Sequence, residues 1–436
     1  MNYHLKQLAT LFLGSLILFS CSKPGYINTE SVNTIAESYV KLAFSLGMYD
    51  EDYIDGYFGP EDLKTAANKD TLSLQDIINY SDDLEKAVEK YLERPDNSSE
   101  LHARLLSLKS LIVSLRTRAE MASGINYTFD NESELLYDVV SPVYSLESYK
   151  TSIALIDSLL PGTGDINTRW NAFRKAFIVP VNKLDTLFSL AFSECRAKTY
   201  KYIPQNENDF FTYEFVDDAP WGAYNWFKGN GTSLIQINRR TPIYFDRVLD
   251  LVAHEAYPGH HIFHSLHEAV LYKRKGWIEF SIIPLFSPKA VISEGLANFA
   301  IEILFDENEK QEFEKNILCK IAGINTKQVD LYYSILNLMS ELQYASTESA
   351  RRYLDGKISK EQAINFLMNY RLRTAEEAER NIEFFEKYRS YILTYSIGLD
   401  LVRNYFASEN PSSPEQKWEL YYKLMSTPVL PSDLRN

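Results

Sequence analysis

The sequence predicts a mainly α-helical fold, on three observations. Apolar residues recur at intervals of three and four along most of the chain, only 17 Gly and 16 Pro interrupt 436 residues, and a 45% hydrophobic content supplies a large core. Length and a 14% aromatic fraction predict two lobes, an N-terminal helical lobe over 21–204 and a second lobe over 205–436. Against 45 Lys and Arg stand 59 Asp and Glu, a formal charge of −14 with no basic cluster, which argues against nucleic acid as a partner.

At the start of the chain, Lys6 precedes an apolar run from Leu8 to Phe19 that is too short to span a bilayer and reads as an export signal over 1–20. The run ends in Leu18-Phe19-Ser20-Cys21, which resembles a bacterial lipobox. Cys21 would then be the first mature residue and carry the lipid that makes the membrane contact, with the body on the periplasmic face of the outer membrane. A plain secretory signal with an incidental Cys is the alternative.

Helical periodicity follows over Ser31 to Leu46, Leu101 to Met121, Pro180 to Tyr200, Val329 to Leu354 and Ala375 to Phe406. Stretches rich in Gly, Pro and Asp at Asp52 to Glu61, Gly124 to Pro142, Pro161 to Asn167 and Gln205 to Gly231 read as loops. After a Gly-Asn-Gly turn, Thr232 to Asn238 alternates polar with apolar residues as a half-buried strand does. As an edge strand, Leu234 to Asn238 would offer main-chain hydrogen bonds to an extended substrate. Thr241-Pro242 reads as an N-cap and first helical residue, opening a buried helix through Val248, Leu249, Leu251 and Val252. Trp221, Tyr224 and Trp226 wall a groove or fill the core. Cys195 and Cys319 have no spacing of a metal site or disulfide scaffold and read as core.

Five of the seven histidines, His254, His260, His261, His264 and His267, fall within 14 consecutive residues. A His beside a Glu on an apolar helix is what hydrolytic zinc sites use: neutral imidazoles bind the ion and the carboxylate takes a proton from water. The second His of such a pair usually stands four positions on, but Pro258 occupies that place. Pro258 cannot donate to the His254 carbonyl, so the helix must open there, and Gly259 lets the chain swing His260 back toward His254. His260 is therefore favoured as ligand over His261, which would contact substrate or support the ligands. Asp250, one turn before His254, either fixes the imidazole tautomer or stays solvated. His264 and His267 read as helix surface.

A catalytic zinc keeps three protein ligands. Ser293-Glu294-Gly295-Leu296-Ala297-Asn298 supplies the third, with Glu294 in the first turn of an apolar helix and Asn298 one turn on to orient its carboxylate. The plainer reading is that Glu294 merely favours a helix N-terminus, a gain of about 0.3–1 kcal/mol.

His254-Glu255-Ala256-Tyr257-Pro258-Gly259-His260-His261 matches in full the HExxPGHH motif of the DUF885 family, which resembles zinc metallopeptidases of the gluzincin type. Glu294-Gly295-Leu296-Ala297 matches that family's EGxA helix, and the likeness reaches back to Asp52–Pro60 and 220–226. Two positions depart: Leu296 replaces a common Trp, and Arg389 to Gly398 keeps Tyr395 and Gly398 of the family's C-terminal motif without its PGQ. The resemblance implies a gluzincin-like helical metallopeptidase with a small β-sheet lining the cleft, and a zinc ion on His254, His260 and Glu294. It further implies Glu255 as general base, Tyr395 as donor to the tetrahedral oxyanion, and a peptide or other amide as substrate. A non-catalytic binding lipoprotein, or a relative that keeps zinc without turnover, is the alternative.

Overall fold

The computed structural model describes residues 26–69, 71–219 and 221–435; the export signal, Cys21 and Pro220 lie outside the described residues. Helix dominates, with one small three-stranded sheet and a two-stranded ribbon. The helix Val32–Gly47 shows why the pattern holds. Ser31 and Thr34 form a reciprocal capping box at its start, and Ile35, Tyr39, Leu42 and Leu46, on one helical face, are all buried. Leu101 to Met121 and Pro180 to Tyr200 correspond to helices Ser99–Ala122 and Val181–Thr199. Cys195 and Cys319 are free and fully buried. No helix among the described residues is long and apolar enough to cross a membrane.

Two long predicted helices are each divided. Val329 to Leu354 becomes Val329–Ser340 and Tyr344–Leu354. Ala375 to Phe406 stops at Tyr388, passes through a tight turn over Arg389–Leu393 and resumes as Thr394–Glu409. A distant carboxylate holds that bend. Glu132, buried at 1% exposure in helix Phe129–Tyr137, accepts from Arg389 Nε at 2.6 Å, from Ser390 N at 3.1 Å and from Ser390 Oγ at 2.6 Å. The four-residue strand β1 (Ile54–Tyr57) and the helix Phe129–Tyr137 both lie in stretches that read as loop.

β2 (Phe210–Val216) and β3 (Ala223–Gly229) also fall in predicted loop, and they flank β4 (Thr232–Asn238) in the order β2-β4-β3. β4 alternates as expected, with Ser233, Ile235 and Ile237 buried. It is not an edge strand: it pairs in parallel with β2 and antiparallel with β3, so its main chain is occupied on both sides. This removes β4 as a template for an extended substrate. β1 pairs antiparallel with β5 (Ile282–Pro284). Thr241-Pro242 does not open the following helix, which begins at Asp246; Val179 N and Phe245 N instead tie this stretch to a neighbouring segment through Ile243 O and Phe177 O, at 2.8 and 3.1 Å.

Candidate active site

The histidine segment folds as two helices, Asp246–Glu255 and His260–Leu266, joined at a sharp kink with a cis Tyr257–Pro258 bond. The carbonyls freed by Pro258 find new donors. Ala253 O accepts from Gly259 N at 2.9 Å, and Glu255 O from Asn225 Nδ2 of β3 at 2.6 Å. Gly259 is needed for proximity more than for dihedral freedom. Its φ is −71°, but a Cβ there would lie 1.9 Å from the His254 carbonyl oxygen and 2.4 Å from that of Ala253.

This turn sets His254 Nε2 3.1 Å from His260 Nε2. Glu294 approaches both, with Oε2 3.4 Å from His254 Nε2 and Oε1 3.8 Å from His260 Nε2. Two ligands at the usual zinc distance on a tetrahedral ion stand about 3.3–3.4 Å apart. Glu294 Oε2 is buried and has no hydrogen-bond donor among the described residues. Glu255, 5% exposed, has a carboxylate oxygen in the same group of ligand atoms as His254 and His260, all within 4.8 Å of one another. His254, Glu255 and His260 thus form a set able to hold a metal ion, and Glu294 lies within 3.4 to 3.8 Å of its two imidazoles.

Glu294 does not sit in a first helical turn. Its helix, Pro288–Leu304, begins with Pro288 and places Glu294 well inside, so a helix-terminus preference does not explain it. What brings it in is a helix crossing without side chains between. A Cβ on Gly295 would meet Gly398 O at 2.4 Å, and one on Gly398 would meet Val291 O at 2.5 Å, so Pro288–Leu304 and Thr394–Glu409 touch backbone to backbone. Tyr391, just before that second helix, donates to Glu294 Oε1 at 2.9 Å. Asn298, expected to orient Glu294, instead donates to Tyr395 O at 3.2 Å and pairs with His254.

The electrostatics suit a cation. Burial, then the neighbouring His260, holds His254 well below the usual imidazole range; burial holds His260 down to about 4. Both rings are therefore neutral near pH 7, the form that binds metals. Burial pushes Glu294 up to about 7 and, with Glu294 beside it, pushes Glu255 well above the carboxylate range. Asp55, on the same cavity, is raised to about 6 by burial, which outweighs the hydrogen bond from Tyr224. Carboxyls crowded in this way gain from a divalent ion between them.

The other expectations divide. His260 Nδ1 meets Ser293 Oγ at 3.0 Å, which turns Nε2 toward His254. His261 touches neither ligand nor cavity: fully buried, it bridges Ser233 Oγ at 2.8 Å and Asp209 Oδ1 at 2.8 Å, pinning its helix to β4. Asp250 does not brace His254 but pairs with Arg247 at 3.3 Å and Lys310 at 3.4 Å. His264 and His267 are not surface residues. Both line a cavity of about 360 Å³ that also holds His254, Glu255, His260 and Glu294. Tyr395 lines it too, with 39% of its surface exposed. Trp221 and Tyr224 wall the cavity, while Trp226 turns away to donate to Gln236 at 2.8 Å. Tyr391 and Lys289 drew no role from the sequence, and Ser293 read only as the start of the Glu294 helix, whereas it lies inside that helix and meets His260. For Lys289 a signal existed, a lone cation opening an otherwise apolar helix.

No protein-family model matches the chain, so its likeness to the DUF885 family rests on the two motifs, and no curated protein sequence matches it either. Among solved structures, a candidate lipoprotein from Colwellia psychrerythraea is 14% identical, with 93% of this chain and 75% of that chain covered at a TM-score of 0.50. That likeness is one of fold. The M32 carboxypeptidase from Deinococcus radiodurans R1, 12% identical, covers 92% of this chain and 93% of its own at a TM-score of 0.45, too low to bear on what this chain does.

Proposed function

We propose that this protein is a zinc-dependent hydrolase of peptide or other amide bonds. The observation that carries the reading is the meeting of His254 Nε2 and His260 Nε2, 3.1 Å apart, with the buried Glu294 carboxylate, whose donor-free Oε2 lies 3.4 Å from His254 Nε2 and whose Oε1 lies 3.8 Å from His260 Nε2. His254, His260 and Glu294 are the proposed ligands. Bound there, zinc would lower the pKa of a water toward ~7 and polarise the scissile carbonyl. Glu255 takes the proton from the attacking water and delivers it to the leaving nitrogen; its raised proton affinity suits both halves of that transfer. Tyr395, held protonated by burial and by Glu294 and Glu255, donates to the oxyanion.

Glu255 competes with Glu294 for the third ligand place. The Tyr391 hydrogen bond favours Glu294, because a ligating carboxylate is normally fixed by a neighbour. Replacing each glutamate separately decides the roles. Glu255→Gln should keep its zinc and lose about 10²–10⁴-fold in hydrolysis of a peptide library, whereas Glu294→Gln should lose the zinc. Undiminished hydrolysis by Glu255→Gln overturns the mechanism, and purified protein that binds no metal leaves the non-catalytic binding protein as the reading.

The Leu18–Cys21 run supports lipid attachment at Cys21 and anchoring to the periplasmic face of the outer membrane. Labelled palmitate should enter the wild-type protein and not Cys21→Ser; equal labelling would overturn it.

A further inference from the structure

The cavity has a second end that the proposed chemistry does not use. Beyond His260 it runs between Phe58, Phe263 and Phe280, and three basic side chains converge there: His264, His267 and Lys289. The His264 ring lies 6.0 Å from that of His260, so this end begins within about two residues' reach of the proposed metal ligands.

Two of these groups have hydrogen-bonding capacity left over. His267 is 6% exposed, and its Nε2 has no hydrogen-bond partner among the described residues. The Lys289 ammonium donates to the Glu279 carbonyl oxygen at 2.9 Å and lies 4.1 Å from the Phe280 ring centroid. Among the described residues no carboxylate comes within ion-pairing distance of it. Glu279, whose charge bears on Lys289 without pairing with it, is fully buried and held by Arg104 through Nε at 2.7 Å and Nη2 at 3.0 Å. Glu268, the other acid of this region, accepts from Asn230 N at 2.7 Å and Gly231 N at 2.9 Å and does not line the cavity. A buried donor without acceptor costs free energy that a ligand oxygen would recover. In a chain carrying a formal charge of −14, this end gathers two imidazoles, both held neutral by burial, and one ammonium that has no carboxylate within ion-pairing distance among the described residues.

We infer that His267 and Lys289, with His264 beside them, form a seat for a carboxylate of the substrate. The inference rests on the cavity being the hydrolase cleft, and it names the substrate class: peptides with a carboxylate close to the bond that is cut. Burial holds Lys289 down to about 7, and an incoming carboxylate would stabilise its charged form. Two sources supply that chemistry, the free carboxyl terminus and an acidic side chain.

The test is calorimetric titration of three blocked dipeptides into zinc-loaded Glu255→Gln protein: acetyl-Ala-Phe, its C-terminal amide, and acetyl-Ala-Glu amide. The free acid should bind about tenfold more tightly than its amide. That advantage should shrink to about twofold or less in proteins that also carry Lys289→Gln or His267→Gln. A gain for acetyl-Ala-Glu amide in place of one for the free acid supports the seat and assigns it to a side-chain carboxylate. Equal binding of the acid and amide of acetyl-Ala-Phe, with no gain for the Glu peptide, overturns the inference. So does an advantage that survives both substitutions, since the carboxylate would then rest on the metal. If Lys289→Gln does not fold, His267→Gln, which keeps a polar amide in the same space, decides. Binding is read without turnover, so a failed seat beside intact wild-type hydrolysis condemns only the seat, and a carboxylate preference in a protein that cuts nothing condemns only the hydrolase.

Discussion

Main chain touches main chain at two places beside the site, and the two joints differ in kind. At the kink, Gly259 passes so close to the His254 carbonyl that a Cβ would lie 1.9 Å from it; at the helix crossing, Gly295 stands over Gly398 with 2.4 Å for the same atom. The first joint links residues five apart and delivers two imidazoles. The second links separate helices and delivers one carboxyl group together with the tyrosine that holds it. A local joint can be specified by a Pro-Gly pair, whereas a distant one depends on everything that positions both helices.

The strongest way to break this comparison is to fill the kink. Gly259→Ala has nowhere to put its methyl except into two carbonyl oxygens, so the protein should retain no zinc and lose about 3 kcal/mol of stability. Metal analysis and denaturant unfolding check both, and a variant that keeps a full complement of zinc removes the kink as the source of the site. Gly398→Ala should act more mildly, since two whole helices can separate by a fraction of an ångström. We expect a loss of about 2 kcal/mol and zinc binding weakened roughly 10- to 100-fold as Tyr391 and Glu294 shift apart. An unaltered zinc affinity would show that the crossing does not govern Glu294.

Acidity separates the two contributions with the smallest perturbation. Among the three proposed ligands, His254 and His260 stay neutral well below pH 7, while the Glu294 carboxyl, raised to about 7, is protonated below that value. Its proton must leave before an ion can bind. Zinc affinity in a chelator competition should therefore rise about tenfold per pH unit up to about pH 7 and level off above it. A profile already flat between about pH 5 and 7 would mean that the crossing brings no titrating ligand to the ion.

What the sequence disclosed follows the same division. The kink was legible because Pro258 and Gly259 have only a few physical uses inside a helix, and β4 was legible because its alternation is local. The place of β4 in its sheet was not, since it depends on β2 and β3, whose aromatic residues lie in a stretch otherwise written in Gly, Asn and Asp. The bend at Arg389 and Ser390 escaped because its cause, Glu132, is remote in the chain. His264 and His267 were misread for a nearer reason. They share a helical face with His260, so a residue that faces the cavity takes them with it, and the turn widens to a π-helix over His267–Arg274 without any local cue.

Arg104 lies on the helix Ser99–Ala122 and forms no part of the cavity wall, yet it holds Glu279, the acid whose charge bears on the Lys289 ammonium. By occupying Glu279, it keeps an internal rival away from the ammonium one helix over. Neutralise that guanidinium and the protein would answer its own lysine, closing to outside anions a berth that no atom of the altered residue ever touched.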